Sequence, residues 1–213
     1  MTSMPVVYGA PYSVYVRAVR LALEEKGVAY RLDPVDVFAE NGPPASLLER
    51  QPFGRIPAFE HDGFQLYEAG AIERYVDEAF PGPALQPSAP RERARVNQLT
   101  SILDSYAYRT LVWDIFVERV SAPKQGRAPD GARIQAALPK AQLCLRAIND
   151  LMDGGPFLAG AELTLADLHA APMFAYFALA PEAEALLAAQ PLIEAWWADM
   201  MRRPAMQATA YPA

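Results

Sequence analysis

Residues 51–72 read QPFGRIPAFEHDGFQLYEAGAI, and they decide how the first part of the chain folds. From Ile56 to Phe59 the run looks like a buried strand, yet Pro57 sits inside it. Proline has no N–H to complete a ladder, so sheets tolerate it only at edges, strand starts and bulges. The backbone beside Pro57 is therefore expected to stay open for another partner. Asp62-Gly63 is a strong two-residue turn signal, which makes RIPAFEHDGFQLYE a pair of hairpin strands. After it, AGAIERYVDEAF returns to helical spacing.

Working outward, PVVYG is a short β-branched run ending in glycine. Val16, Val19 and Leu23 then recur at helical spacing, and Gly27 supplies a stop. YRLDPVDV reads as a second strand. The order strand, helix, strand, looser segment, hairpin, helix predicts a small α/β domain with a mixed sheet over 1–80. PGPALQPSAP holds four prolines in ten positions without periodicity, so 81–90 is a linker. From 91 to 213 the pattern is all-helical. Val96, Leu99, Leu103, Tyr106, Trp113, Val117 and Val120 mark one long helix, interrupted by Thr110. A second runs from Ile134 to Leu151, with Pro139 as a kink or late start. GAELTLADLHAAPMFAYFAL and PLIEAWWADMMRRP give a third and a fourth.

Composition excludes several classes. The chain of 213 residues is 52% hydrophobic and has no apolar run long enough for a membrane span, which points to a globular protein. The N-terminus has neither the basic start nor the apolar core of a signal peptide. Cys144 is the single cysteine, so an internal disulfide and a C-x-x-C motif are both excluded, which suits the cytoplasm. A formal charge of −6 without a basic block argues against nucleic acid as the main partner. Two distant histidines, His61 and His169, predict no metal site. His61 beside the turn is expected to be solvated, and His169 to be a satisfied core residue.

The loop YGAPYS delivers Ser13 to the first turn of a helix, where free N–H groups and the macrodipole favour an anion. A hydroxyl there can donate to a bound thiolate and lower its pKa, with Arg17 one turn on adding positive potential. The competing reading is that Ser13 caps the helix, and the pattern alone favours the cap. Thr164 and Asp167 form a capping box for the third helix of the second part. Tyr12 and Phe38, with Tyr106, Arg109 and Trp113 from one face of the long helix, are candidates to line an apolar pocket; a plain core or interface face explains the last three equally well.

The segments YGAPYSVYVRAVRLALEEKG, NGPPASLLERQPFGRIPAF, LYEAGAI and FLAGAELTLADLHAAP, in this order over nearly the whole chain, resemble the cytosolic glutathione transferases. The resemblance is to the serine type, nearest the phi class and its bacterial relatives. It implies a thioredoxin-like domain over 1–80 that binds glutathione, and a helical domain over 91–213 that forms a hydrophobic substrate pocket. It implies that Pro57 is cis, that Ile56 offers its backbone to the cysteine of glutathione, and that Glu68 receives the γ-glutamyl amine. Ser13 stands at the catalytic position of the serine type, while Tyr8 stands where tyrosine-type members carry theirs and otherwise reads as a core strand residue. Two departures are visible. Ala69 replaces the usual serine that binds the γ-glutamyl carboxylate, and Gly42 and Pro43 replace basic residues for the glycyl carboxylate, a role that Arg55 can take in part. The implied activity is conjugation of glutathione, as co-substrate and without metal, to a hydrophobic electrophile by a cytoplasmic homodimer engaged in detoxification. Glutathione-dependent hydroperoxide reduction and a non-catalytic binding module of the same fold are the alternatives.

Overall fold

A computed structural model describes residues 3–211; the outermost ends of the expected spans, at 1 and 213, lie outside them. Its described residues divide into two compact units. One runs to Leu85 and includes the segment from Pro204 onward; the other is Gln86–Arg203.

The first unit is built on a four-stranded sheet in the order β2-β1-β3-β4. β1 (Val6–Tyr8) pairs parallel with β2 (Arg31–Asp33), and antiparallel with β3 (Ala58–His61), which pairs antiparallel with β4 (Phe64–Tyr67). The parallel pair needs a crossover, and α1 (Val14–Glu25) provides it. β2 stops at Asp33 because Pro34 follows. The hairpin turns at Asp62 (φ 49°) and Gly63 (φ 77°), both in the left-handed region that a tight two-residue hairpin requires. β3 begins immediately after Pro57, the strand start that proline tolerates. α1 packs against α3 (Ala69–Ala79), and Val7, Leu21, Leu23, Phe59, Ile72 and Val76 are fully buried. Each such aliphatic side chain stabilises the fold by about 1.5–3 kcal/mol. A short α2 (Ala45–Leu48) lies in the segment expected to be loose. A last helix, α10 (Pro204–Ala208), packs on α1. Arg17 and Arg20 hold it there: Arg17 Nη2 donates to Met206 O at 2.9 Å and Nε to Thr209 Oγ1 at 3.3 Å, while Arg20 Nη1 reaches Thr209 O at 3.4 Å.

The second unit is helical. α4 (Pro90–Ile102) begins inside the expected linker, with Pro90 in the first turn, where its missing N–H costs nothing. The expected long helix continues from Leu103 to Ser121 with π-type i→i+5 hydrogen bonding before the short α5 (Ala122–Lys124). That wider winding moves the buried seam away from the predicted one. Leu103, Ala107, Leu111 and Ile115 are fully buried and Thr110 is buried beside them, whereas Tyr106 is 64% exposed. α6 (Gly131–Leu151) carries Pro139 inside it, on an exposed turn. α7 (Leu165–Phe177) is followed by α8 (Glu182–Ala188) and α9 (Pro191–Met201). Among the described residues no helix is long and apolar enough to cross a membrane.

Candidate active site

The loop between β1 and α1 is held close to residue 56 by a glycine. A β-carbon on Gly9 would lie 2.4 Å from Val16 Cγ2 and 3.2 Å from Ile56 Cβ, so only glycine lets the loop pack against these two side chains. Ser13 takes the capping position that the sequence pattern favoured. It is the N-cap of α1, with φ −72° and ψ 129°, and its Oγ accepts the Val16 N–H at a long 3.4 Å. It is half-buried. The positive end of the α1 macrodipole meets this hydroxyl. Arg17 adds less than expected, because its guanidinium is committed to Met206 and Thr209.

Segment 51–57 is shaped by a residue the sequence reading passed over. Gln51 is buried (2% exposed), and its side-chain oxygen accepts the Phe53 N–H at 2.7 Å and the Arg55 N–H at 3.3 Å. A glutamine before proline carries no distinctive signal, so only the folded chain shows this role. The Ile56–Pro57 peptide is cis. Among the described residues Ile56 has no backbone hydrogen-bond partner, so its N–H and C=O are the open positions that Pro57 announced. Arg55 is exposed nearby in sequence.

Glu68 adopts φ 71° and ψ 112°, a conformation that costs a non-glycine residue about 1–3 kcal/mol. Its carbonyl accepts the N–H groups of Ala71 and Ile72, both at 3.0 Å, and so begins α3 without a side-chain cap. Glu68 is exposed, but Ala69 is not: the side chain expected to face ligand and solvent is only 6% exposed. The first turn of α3 packs its β-carbon inward and leaves the backbone N–H as the group on offer.

Tyr8 ends β1 with its side chain engaged by groups of the same unit. Its hydroxyl donates to Glu60 Oε2 at 3.3 Å, and the Arg50 guanidinium covers its ring at 4.6 Å. Tyr12 and Phe38 are brought together, their rings stacked at 6.1 Å. The Tyr12 hydroxyl donates to Asp36 Oδ1 at 2.7 Å; this bond, and then the Phe38 N–H, hold the Asp36 carboxyl below its usual range. Asp36 carried no motif in the sequence. In the second unit, Tyr106 and Arg109 are exposed and Trp113 is half-buried, and Arg109 Nε donates to Asp114 at 3.0 Å.

The remaining candidates divide. His61 is not solvated. It is 6% exposed, its ring tilted against that of Phe80 at 4.6 Å and bonded through Nδ1 to the Tyr75 hydroxyl at 2.8 Å, because Tyr75 and Phe80, from α3 and its C-terminal end, cover it. His169 is fully buried against Asp104 at 2.9 Å. Burial pushes the Cys144 thiol up to about 11, so it stays an unreactive thiol at neutral pH. Among the described residues no group of three or more His, Cys, Asp or Glu is placed to hold a metal.

A thioredoxin-like sheet with an open backbone at a cis-proline, followed by a helical unit, defines a glutathione-binding architecture, and comparison with known proteins agrees. Residues 7–84 match the family model for the glutathione S-transferase N-terminal domain, and residues 108–204 that for the C-terminal domain. Glutathione S-transferase F13 of Arabidopsis thaliana is 31% identical over 201 residues, covering 93% of this chain and 91% of the relative. The crystal structure of glutathione transferase F7 from Populus trichocarpa superposes with a TM-score of 0.85 at 32% identity, covering 97% of each chain. Glutathione S-transferase I from maize, solved in complex with an atrazine–glutathione conjugate, gives 0.84 at 27% identity, covering 97% of this chain and 96% of its own. The chain belongs to the glutathione S-transferase family, enzymes that use glutathione as co-substrate for conjugation to electrophiles. The plant relatives it matches are phi-class proteins.

Proposed function

We propose that Ser13 is the catalytic residue and that the enzyme is of the serine type. Glutathione docks along residues 55–57 like an added strand, its cysteine pairing with the backbone of Ile56 next to Pro57. Glu68 receives the γ-glutamyl amine, the Ala69 N–H faces the γ-glutamyl carboxylate, and Arg55 reaches the glycyl carboxylate. The thiol proton leaves to solvent as the Ser13 hydroxyl and the start of α1 stabilise the thiolate. The sulfur then attacks an electrophilic carbon held by Tyr12 and Phe38. A C–S bond forms while the leaving group departs with its electron pair. The observation that carries this reading is the unpaired backbone of Ile56, held against the Ser13 loop by Gly9. Paired variants test it: Ser13→Ala should lose most conjugating turnover and keep glutathione binding, whereas a silent Ser13→Ala beside an inactive Tyr8→Phe overturns it.

One observation favours the non-catalytic alternative. Ala69 supplies no hydroxyl and no basic side chain stands at 42 or 43, so glutathione is held by fewer charge-assisted bonds, each worth roughly 1.5–3 kcal/mol. Calorimetric titration decides; absence of glutathione binding supports the binding-module reading. The homodimer rests on Phe53 and Tyr67, 69% and 37% exposed and in edge contact at 6.1 Å, an aromatic patch suited to a second subunit. Light scattering at micromolar concentration tests this, and a monomer refutes it. A cytoplasmic site of action fits the single, buried cysteine.

A further inference from the structure

We infer that Tyr211 is a specificity-determining residue, the third wall of a site for flat aromatic electrophiles; this rests on the transferase reading above. Tyr12, the residue before Ser13, has rings on two sides. Phe38 stacks on it at 6.1 Å with an interplanar angle of 26°, and Tyr211 meets it edge-on at 6.2 Å and 68°. Asp36 fixes the Tyr12 ring by its hydroxyl. Phe38 is 67% exposed and Tyr211 42%, so three segments present aromatic surface around the residue that precedes Ser13.

The position of Tyr211 is fixed by α1 itself. Thr209 is fully buried; its Oγ1 accepts from Arg17 Nε and its carbonyl from Arg20 Nη1, while Arg17 Nη2 holds Met206 O. The helix whose start carries Ser13 therefore also sets where the third ring stands. Ring surfaces at stacked and edge-on angles favour a planar π-system over a small aliphatic group, because the ring quadrupole rewards aromatic partners.

The test is calorimetric and independent of turnover: binding of S-(2,4-dinitrophenyl)glutathione is compared with that of S-methylglutathione. The wild-type chain should prefer the aromatic conjugate. Tyr211→Ala should reduce that preference roughly three- to tenfold while leaving S-methylglutathione affinity unchanged, and Tyr211→Phe should restore it. Arg17→Leu, which frees the segment, should reproduce part of the loss. An equal preference in wild type and Tyr211→Ala overturns the inference even if the enzyme turns over. A preference that falls in Tyr211→Ala, in a protein without transferase activity, upholds the aromatic wall and removes the transferase reading instead.

Discussion

At the start of α7, Thr164 is closed in. Its N–H and hydroxyl both donate to Asp167 Oδ2 at 2.8 Å, and Asp167 Oδ1 accepts the Leu158 N–H at 2.8 Å and the Trp196 indole N–H at 2.9 Å. At the start of α1, Ser13 has one bond of 3.4 Å to Val16 and remains half-buried. Both are hydroxyl residues at the head of a helix. The buried start uses every lone pair for structure, and the loosely bonded start keeps a hydroxyl and a helix dipole for something outside the chain. How each cap is satisfied in the folded protein separates the two more clearly than the residue type does.

The largest effect expected from this contrast is at the closed start. Asp167→Ala should destabilise the fold by about 3–5 kcal/mol, because it strands two backbone N–H groups and an indole N–H in a dry site. Denaturant unfolding measures it, and a loss under ~1 kcal/mol would erase the distinction between the two helix heads. Next comes the open start. Ser13→Ala should cut conjugating turnover about ten- to a hundredfold, matching one hydrogen bond to an anion of roughly 1.5–3 kcal/mol. The same variant should unfold within ~1 kcal/mol of wild type.

A third helix start sharpens the comparison. At the head of α6, Asp130 caps the Arg133 N–H at 2.9 Å, while Glu118 accepts the Asp130 N–H at 3.1 Å and holds Arg127 and Arg133. The hydrogen bond from Arg127, more than the Asp130 N–H or the charge of Arg133, holds the Glu118 carboxyl below its usual range. A carboxylate lowered in the folded state contributes stability above its unfolded pKa and loses it as pH falls through the folded value. The protein should therefore weaken on the acid side of about pH 4, and Glu118→Gln should flatten that part of the profile. Thermal unfolding between neutral and acid pH reads both. The smallest effect is at Tyr8: with its hydroxyl on Glu60, Tyr8→Phe should change turnover by less than about threefold, one peripheral hydrogen bond of ~0.5 kcal/mol.

The same contrast explains what was readable from the sequence. The hairpin at Asp62-Gly63, the strand start at Pro57 and the capping box at Thr164 are short-range devices, and residue type fixes each of them. At the candidate site the open backbone was legible at Ile56 and Pro57, because a proline cannot complete a ladder. The site was less legible where tertiary contacts decide. Gln51 looks like any polar residue until its side chain is found inside the 51–55 turn. His61 looks solvent-facing beside a turn until Tyr75 and Phe80 close over it. The π-wound stretch escaped because spacing by threes and fours assumes i→i+4 bonding, and the buried Ala107 and Leu111 fall between the predicted positions.

Arg17 and Arg20 bind carbonyls almost two hundred residues away in the chain. The unit that carries Ser13 is thus built from two stretches of sequence with Gln86–Arg203 between them. While Gln86–Arg203 is being made, the sheet and α1 can assemble with Arg20 Nε on the Tyr30 hydroxyl, but the N–H groups that will meet Met206 and Thr209 donate to water. Met206 and Thr209 reach them only after that second unit has been synthesised. Completion of the first unit is in this way tied to synthesis of the second, and a chain cut short before Pro204 would carry the sheet and α1 without the clasp on Arg17 and Arg20.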